Sequence, residues 1–299
     1  MDRRFTIQFT SKQQGQLLRE AIQVYGISKR ALTAIKFGGG EITVNNQVQN
    51  VRYPLSINDV VQIRFPLEPV SDGLIAETDR DLSIVYEDDA LIVINKPAYM
   101  STIPSREHPN GSVANYLRGY YEQNQIHSTI HVVTRLDRDT SGLMCVAKHR
   151  HIHHLMSEMQ KRGEIHRQYE AFVHGHIDKD FQSIIEPIGR KETSIIEREV
   201  RKDGQYAHTD MTVLRRFEVN GEKMTHIGLK LYTGRTHQIR VHSAFIGHPL
   251  VGDELYGGTQ THIARQALHC VSLSFIHPIT LEAMQFTCEL TQDIHNLMK

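Results

Sequence analysis

The stretch Arg135-Leu136-Asp137-Arg138-Asp139-Thr140-Ser141-Gly142 places two aspartates, two arginines and two hydroxyl side chains between two apolar runs. Residues 131–133 before it and residues 143–147 after it have the composition of strands. Loops carried on rigid strands commonly hold functional side chains, and a carboxylate flanked by guanidinium groups is a candidate nucleophile or base. The alternative is an ordinary hairpin turn, in which Asp, Thr, Ser and Gly are all common. Segments further along the chain favour the functional interpretation.

Composition limits the class of protein. The chain has 299 residues, which is enough for one large domain and a small one. No apolar stretch approaches the roughly 20 residues that span a bilayer, and residues 1–5 lack the apolar core of a signal peptide. The three cysteines, Cys145, Cys270 and Cys288, have neither metal nor redox spacing. These features predict a cytoplasmic protein without a metal site or a disulfide framework.

Charge divides the chain into units. Residues 1–66 carry 9 Lys/Arg and 4 Asp/Glu, a net of +5, whereas residues 67–81 carry 1 Arg and 5 acids, a net of −4. We therefore predict a basic N-terminal domain (1–66), a linker (67–81) and a larger domain (82–299). A basic unit is a candidate for binding phosphates, although a solvated basic face without a partner would have the same composition.

The first unit has the pattern helix, helix, then short strands. Residues 16–22 have helical spacing of apolar residues, and Ser28 is a candidate N-cap for a helix over residues 29–37 that ends at three glycines. Residues 41–46 and 60–65 alternate like strands. The basic second helix and the segments 40–45 and 58–61 resemble the small RNA-binding domain of ribosomal protein S-four. This resemblance implies a small α/β domain that contacts RNA phosphates through Lys29, Arg30 and Lys36.

A second polar segment follows a predicted strand. Residues 231–242 read Leu-Tyr-Thr-Gly-Arg-Thr-His-Gln-Ile-Arg-Val-His, in which Thr233-Gly234 interrupts the strand. The segment has many hydrogen-bond donors and no acid, so it suits phosphates, base edges or a carboxylate partner. A basic helix start with solvated charges is the alternative.

Six motifs occur in the order found in the RluA/RluD family of RNA pseudouridine synthases, which the chain resembles from about residue 82 to its C-terminus. They are residues 95–97 (Asn-Lys-Pro), 135–142, 167–171 (Arg-Gln-Tyr-Glu-Ala), 234–242, 252–257 (Gly-Asp-Glu-Leu-Tyr-Gly) and 268–270 (Leu-His-Cys). The resemblance implies an α+β catalytic domain with a mixed, largely antiparallel central sheet and a site in a cleft.

The resemblance also implies roles for particular residues. Asp137 matches the catalytic aspartate, Tyr169 the tyrosine that stacks on the target base, and Arg235 the arginine that pairs with the carboxylate. Arg135 matches the arginine that takes part in opening the target nucleotide. Further RNA contacts are expected from Lys96, His237 and Arg240. Two positions depart from the family pattern: Thr134 stands where histidine is frequent, and Tyr99 where glycine is usual.

The implied reaction fits these residue types. Formation of pseudouridine breaks an N-glycosidic bond, turns the uracil and rejoins it through carbon, without redox change, so no cofactor, nucleotide or metal is expected. A single carboxylate can act at the sugar or the base, and the two possibilities stay open. The uridine must leave its stack, which requires an aromatic face and cationic groups for phosphates.

Four other residues that could bind a metal or act as acids are interpreted as structural or surface residues. His149 and His153 have helical spacing that would suit a metal, but no acid or cysteine completes such a site, so a solvated or RNA-facing helix is preferred. Asp139 is interpreted as a turn former, and Asp253 as a structural residue beside Gly252.

The sequence therefore predicts an enzyme, an RNA uridine isomerase that acts as a monomer, most directly on ribosomal RNA, with transfer RNA as another substrate. Two alternatives stay open. One is a non-catalytic RNA-binding or ribosome-assembly factor with the same fold. The other is a carboxylate-dependent glycosidase, which normally needs a second acid at a defined separation.

Overall fold

A computed structural model describes residues 4–69, 73–106 and 108–298. Four parts of the predicted domain organisation lie outside these residues: 1–3 of the N-terminal domain, 70–72 of the linker, and the single positions 107 and 299 of the larger domain. Among the described residues, no helix has both the length and the apolar composition needed to span a bilayer.

The N-terminal unit is an antiparallel sheet packed against two helices. Its elements are β1 (Thr6–Thr10), α1 (Leu18–Val24), α2 (Lys29–Phe37), β2 (Glu41–Val44), β3 (Gln47–Val48) and β4 (Val60–Arg64), with strand order β1-β4-β2-β3. The Ser28 hydroxyl accepts a hydrogen bond from the amide of Ala31, which confirms the expected N-cap of α2. Side chains of both helices and the sheet, including Leu18, Ile35 and Ile63, form a core of their own.

The larger unit is built around a 10-stranded sheet. Its strands are β5 (Ile84–Glu87), β6 (Leu91–Lys96), β7 (His131–Val132), β8 (Ser141–Ala147), β9 (His166–His174), β10 (Phe181–Ile185), β13 (His208–Val219), β14 (Glu222–Leu231), β15 (Leu268–Ile276) and β16 (Ala283–Thr287), and a separate hairpin is formed by β11 (Ile188–Arg190) and β12 (Arg198–Val200). Its helices are α3 (Val113–Gln123), α4 (Arg150–Lys161), α5 (Gln238–Phe245) and α6 (Gln292–His295), with 3-10 turns at Glu254–Tyr256 and Asn296–Met298.

The strand order is β10-β13-β14-β9-β15-β8-β6-β5, with β16 beside β15 and β7 beside β8. Within the described strands, the pair β8–β15 is parallel and the others are antiparallel, so the predicted mixed, largely antiparallel sheet is confirmed. Strand β8 is buried along its whole length. Gly142 has φ +112°, and a Cβ there would lie 2.4 Å from the carbonyl oxygen of Cys270. Only glycine therefore lets the stretch that contains Asp137 enter the centre of the sheet.

The N-terminal unit packs against helix α4. The ring of Phe5 stacks on His149 with centroids 4.8 Å apart, and the ring of Phe65 stacks on His151 at 5.1 Å. Glu68, in the predicted linker, accepts from His131 at 2.5 Å and from the amide of Arg150 at 2.6 Å. The expectation that this histidine-rich helix is solvated or faces RNA is therefore corrected for His149 and His151, which are 7% and 4% exposed.

The buried histidines predict that acid weakens the protein. Burial lowers the pKa of both His149 and His151 to about 4, whereas an unfolded histidine titrates near 6.5. Between these values the unfolded chain binds protons that the folded chain does not, so stability falls as pH falls. We expect a loss on the order of 1 kcal/mol per histidine per pH unit below about 6.5. Urea unfolding at pH 7 and pH 5 measures it.

A matched pair of variants tests whether the buried histidines cause this loss of stability at low pH. His151→Gln removes a buried titrating ring, whereas His154→Gln removes an exposed one from the same helix. The dependence on pH should become shallower in the first variant and stay unchanged in the second. Equal slopes in the two variants would contradict the assignment.

Candidate active site

The residues between β7 and β8 form a loop that is held through its backbone. Lys96 Nζ donates to the carbonyl oxygens of Pro97, Met100 and Arg138 at 2.8–3.0 Å, so its three N–H groups have three acceptors. Thr102 Oγ1 donates to the carbonyl of Leu136 at 2.8 Å. The segment around Asp137 therefore has a fixed conformation with its side chains free to face a cleft.

Lys96 requires a correction. It was expected to contact RNA, but its side chain is completely buried at the end of β6, beneath the loop. Burial lowers its pKa to about 7, against the opposing attraction of Asp137 and Asp139. Its role is to fix the loop that presents Asp137, because its donors are used by backbone carbonyls.

Thr134, at the position where the family often has histidine, also supports the loop. Its Oγ1 accepts from the amide of Cys145 at 2.9 Å, and its side chain is 2% exposed. Thr134 therefore lies beneath the cleft, where its side chain contacts the backbone of β8.

Asp137 lies in a cleft of about 620 Å³. The cleft lies at the centre of the sheet, bounded by the loop before β8, strand β9 and the start of α5. Among its described lining residues Asp137 is the one carboxylate, and six are arginines: Arg135, Arg138, Arg167, Arg198, Arg235 and Arg240. The Asp137 side chain is 29% exposed, so a molecule in the cleft can reach it.

The guanidinium nearest to Asp137 belongs to Arg240. Its Nη1 lies 3.4 Å from Asp137 Oδ2, while Nε and Nη2 donate to both carboxylate oxygens of Asp253 at 2.8 and 2.7 Å. Arg240 and Asp253 are 7% and 2% exposed. Although burial opposes it, the contact with Asp253 raises the pKa of Arg240. Asp253 thus holds Arg240 in the orientation that directs one N–H edge at Asp137.

Two expectations are corrected by this geometry. Arg235 was expected to pair with Asp137, but its Nε donates to the carbonyl of Tyr206 at 2.8 Å and its Nη1 to Gln205 Oε1 at 3.1 Å. Arg240 was expected to contact RNA, but its donors face Asp253 and Asp137. Helix α5 begins after Arg235, at Gln238, so the two arginines point in different directions.

Asp253 was missed as a functional residue, because it was assigned only a structural role. A usable signal was present in the sequence. Arg240 stands between Ile239 and Val241 in an apolar helix, and a charge in such a position needs a buried acid as its partner. The acid that follows Gly252 is a candidate on these grounds.

Tyr169 lies on β9 and lines the cleft, where it is 4% exposed. Burial raises the pKa of its hydroxyl well above the ordinary value, so the phenol stays protonated at neutral pH.

Arg167 precedes Tyr169 on the same face of β9 and was assigned no role from the sequence. Its guanidinium lies against Gly234, where a Cβ would be 2.9 Å from Nη2. A side chain at position 234 would therefore displace the guanidinium of Arg167 slightly.

His237 and Arg135 complete the polar wall. His237 Nδ1 is 2.8 Å from the hydroxyl of Tyr256, and its Nε2 is 3.9 Å from Asp137 Oδ2. Burial lowers the pKa of His237, so the ring is neutral at neutral pH. Arg135 is exposed at the rim. The structure thus brings Asp137, Tyr169, Arg135, Arg235 and His237 to one cleft, as the motifs indicated.

Comparison with known proteins agrees with this geometry. The sequence model of the RNA pseudouridylate synthase family matches residues 90–245. A Bacillus subtilis protein named uncharacterized RNA pseudouridine synthase YjbO is 51% identical over 274 residues, which is 92% of this chain and 95% of the relative. Ribosomal large subunit pseudouridine synthase D of Escherichia coli strain K12 is 37% identical over 252 residues, covering 80% of this chain and 76% of the relative.

A solved structure, human RNA pseudouridylate synthase domain containing 1, superimposes with a TM-score of 0.59 at 27% identity, covering 71% of this chain and 85% of that one. The chain belongs to the RNA pseudouridylate synthase family. It is an isomerase, and its reaction is the conversion of uridine to pseudouridine in RNA.

Proposed function

We propose that Asp137 is the catalytic carboxylate of this isomerase and that its substrate is large-subunit ribosomal RNA. One observation supports this role of Asp137: among the described residues that line the cleft, it is the one carboxylate, and six of the others are arginines. A carboxylate opposes the binding of a polyanion, so its place in such a cleft is explained by chemistry on the bound nucleotide. A non-catalytic RNA-binding protein would gain affinity without it.

The reaction breaks the bond between N1 of uracil and C1′ of ribose and forms the bond from C5 to C1′. A proton then leaves C5 and N1 takes one up, so base and sugar are recombined without an external reactant. Asp137 is placed to act on the bound nucleotide as a nucleophile or as an electrostatic partner of the sugar. Tyr169 offers a buried aromatic wall for the uracil during its rotation, and Arg240 holds Asp137 in place.

The glycosidase alternative has no support from the cleft. Hydrolysis of a glycoside normally uses two carboxyl groups on opposite sides of the bond. Asp253, which lies behind Arg240, is 2% exposed and directs both oxygens at that guanidinium. It is therefore not available as a second acid.

The substrate assignment rests on the Escherichia coli relative, whose name states that it acts on the large ribosomal subunit. Such a substrate places the enzyme in the cytoplasm with the ribosome. Transfer RNA is the second candidate. Pseudouridine mapping across total RNA from cells with and without the gene identifies the site. A position in large-subunit RNA that loses modification, and regains it with the wild-type gene but not with Asp137→Asn, would support both proposals. A site found only in transfer RNA would overturn the substrate.

We also propose that the N-terminal unit binds RNA through helix α2. Lys29, Arg30 and Lys36 are exposed on this helix, on the surface that does not form the core. Three guanidinium or ammonium groups on one short helix provide a surface for phosphates.

Removal of residues 1–66 tests this role. We expect the fragment 67–299 to fold, because the large sheet has its own core. Its free energy of unfolding should fall, since His149 and His151 lose the rings of Phe5 and Phe65. RNA affinity should fall about tenfold or more while the single-turnover rate at saturating RNA is retained.

A full-length variant separates affinity from stability. Lys29→Ala, Arg30→Ala and Lys36→Ala combined leave the packing against α4 intact, and should reproduce the loss of affinity without the loss of stability. Unchanged affinity in this triple variant, measured by filter binding at fixed salt, would refute an RNA contact by α2.

A further inference from the structure

A second cleft opens beside the catalytic one, under the hairpin formed by β11 and β12. It has a volume of about 500 Å³ and is named here the hairpin cleft. Arg190, Asp203 and Gln205 are among the residues that line it. Five further lining residues also line the catalytic cleft: Arg135, Arg198, Gly234, Arg235 and Thr236. The two clefts are therefore continuous, and a chain that leaves the catalytic cleft on this side enters the hairpin cleft.

The hairpin cleft has an excess of unpaired positive charge. Four arginines line it, namely Arg135, Arg190, Arg198 and Arg235. Arg198 donates to the backbone carbonyls of Ile196 and Glu197, and Arg235 donates to an amide oxygen and a carbonyl. Within the part of the chain that the structure describes, none of the four forms an ion pair with a carboxylate.

A fifth arginine of the same region behaves differently. Arg201 contacts the carboxylates of Asp203, Glu192 and Glu199, at 2.5, 3.2 and 3.7 Å. It also donates to the carbonyl of Arg190, so it holds the hairpin together. Asp203 is the one acid in the lining of the hairpin cleft, and Arg201 neutralises it. Three acids of this region thus contact Arg201 and not the four lining arginines.

Four guanidinium groups around one cavity repel each other unless an anion lies between them. They are strongly stabilised by several phosphates in a row, which is the charge pattern of a nucleic acid backbone. Tyr206, next to Gln205, is 56% exposed and adds an aromatic face beside these cations. Aromatic faces beside arginines are typical of sites for unpaired RNA.

We propose that the hairpin cleft binds the phosphates of unpaired nucleotides that flank the target uridine. This inference rests on the proposed function, because it places the target nucleotide at Asp137 in the catalytic cleft. It adds a second binding site with a defined ligand class. Arg190 is its diagnostic residue, because it lines the hairpin cleft and does not line the catalytic cleft.

The test compares Arg190→Gln with Arg215→Gln. Arg215 is an exposed arginine on β13 that lines neither cleft, so it controls for the loss of one positive charge. We measure Kd for a hairpin RNA that contains the target uridine over a range of salt concentrations. Arg190→Gln should weaken binding roughly 3- to 10-fold and reduce the slope of log Kd against log salt by about 0.7 to 1. Arg215→Gln should change neither quantity.

Shortened RNAs locate the contact. Two substrates are prepared, one lacking the unpaired nucleotides on the 5′ side of the target and one lacking those on the 3′ side. For one of them, wild type and Arg190→Gln should bind with equal affinity, because the phosphates that Arg190 contacts are gone. A difference that persists with both shortened RNAs would overturn the proposal.

Two further outcomes are distinguished. If the wild-type enzyme makes pseudouridine but Arg190→Gln binds RNA like Arg215→Gln, the hairpin cleft does not bind the flanking strand. If inorganic phosphate at millimolar concentration competes with the shortened and the full-length RNA equally, the site is a general anion site and this inference also fails. Absence of pseudouridine formation by the wild-type enzyme on any RNA would instead refute the proposed function.

Discussion

Asp137→Asn should abolish pseudouridine formation, with a fall in the single-turnover rate of about 10⁴-fold or more, because the change removes the carboxylate that acts on the nucleotide. The fold should be retained. Arg240 keeps its bidentate partner Asp253, and Asp137 is 29% exposed, so the loss of its longer contact costs about 1 kcal/mol or less. Tritium release from uracil C5 measures the rate, and urea unfolding measures the stability.

Asp139→Asn is the matched control for this prediction. Asp139 lies two residues further along the same loop, and its backbone carbonyl accepts from Arg265 at 3.0 Å. The same chemical change at this position should leave most of the activity. Isomerisation by purified Asp137→Asn, or an equal loss in both variants, would contradict the assignment of Asp137.

Asp253→Ala should lower both stability and activity, because it leaves the buried guanidinium of Arg240 without its bidentate partner. Removal of one member of a buried ion pair typically costs about 3–5 kcal/mol, which is a large part of the stability of a protein of this kind. The freed guanidinium can also turn away from Asp137. We therefore expect kcat to fall at least about tenfold with a smaller change in KM, measured with urea unfolding in parallel.

A double variant separates the two effects. Arg240→Met combined with Asp253→Leu replaces the pair by apolar side chains, and such replacements often restore the stability of a protein. Activity should stay low in this variant, because no guanidinium faces Asp137. If the double variant recovered both stability and kcat, Asp253 would have a structural role only, as the sequence first suggested.

Local sequence patterns predicted much of the fold. Alternation indicated the strands within residues 41–46 and 60–65, apolar runs indicated those on either side of residues 135–142, and Ser28 was recognised as the N-cap of α2, where it accepts from the amide of Ala31. Residues 67–81 stay a predicted linker, but two of them make contacts that the sequence did not indicate. Glu68 accepts from His131 and from the amide of Arg150, and Glu77 accepts from the amide of Gly111 through Oε2 while its own amide donates to the carbonyl of Asn115. Charge and proline content identify a connection between units but do not reveal its contacts.

Partners among charged residues were the least predictable feature. Arg235 and Arg240 are five residues apart in one basic segment, and the sequence alone does not distinguish which one faces Asp137. The answer depends on where α5 begins and on Asp253, which reaches Arg240 from a separate turn. The burial of Lys96 was equally hard to predict, because one of its acceptors is the carbonyl of Arg138, which lies on a different loop.

The sequence by itself determined the α+β class of the fold, several of its strands and helices, the polar character of the cleft and Asp137 as its candidate carboxylate. These follow from short-range patterns and from motifs whose residues are adjacent in the chain. Only the tertiary structure decided that Arg240 rather than Arg235 faces Asp137, that Lys96 supports the loop from beneath, and that a second arginine-lined cleft adjoins the first. The physical reason is that an ion pair or a cavity depends on distances between segments far apart in the chain, and burial makes those distances decisive.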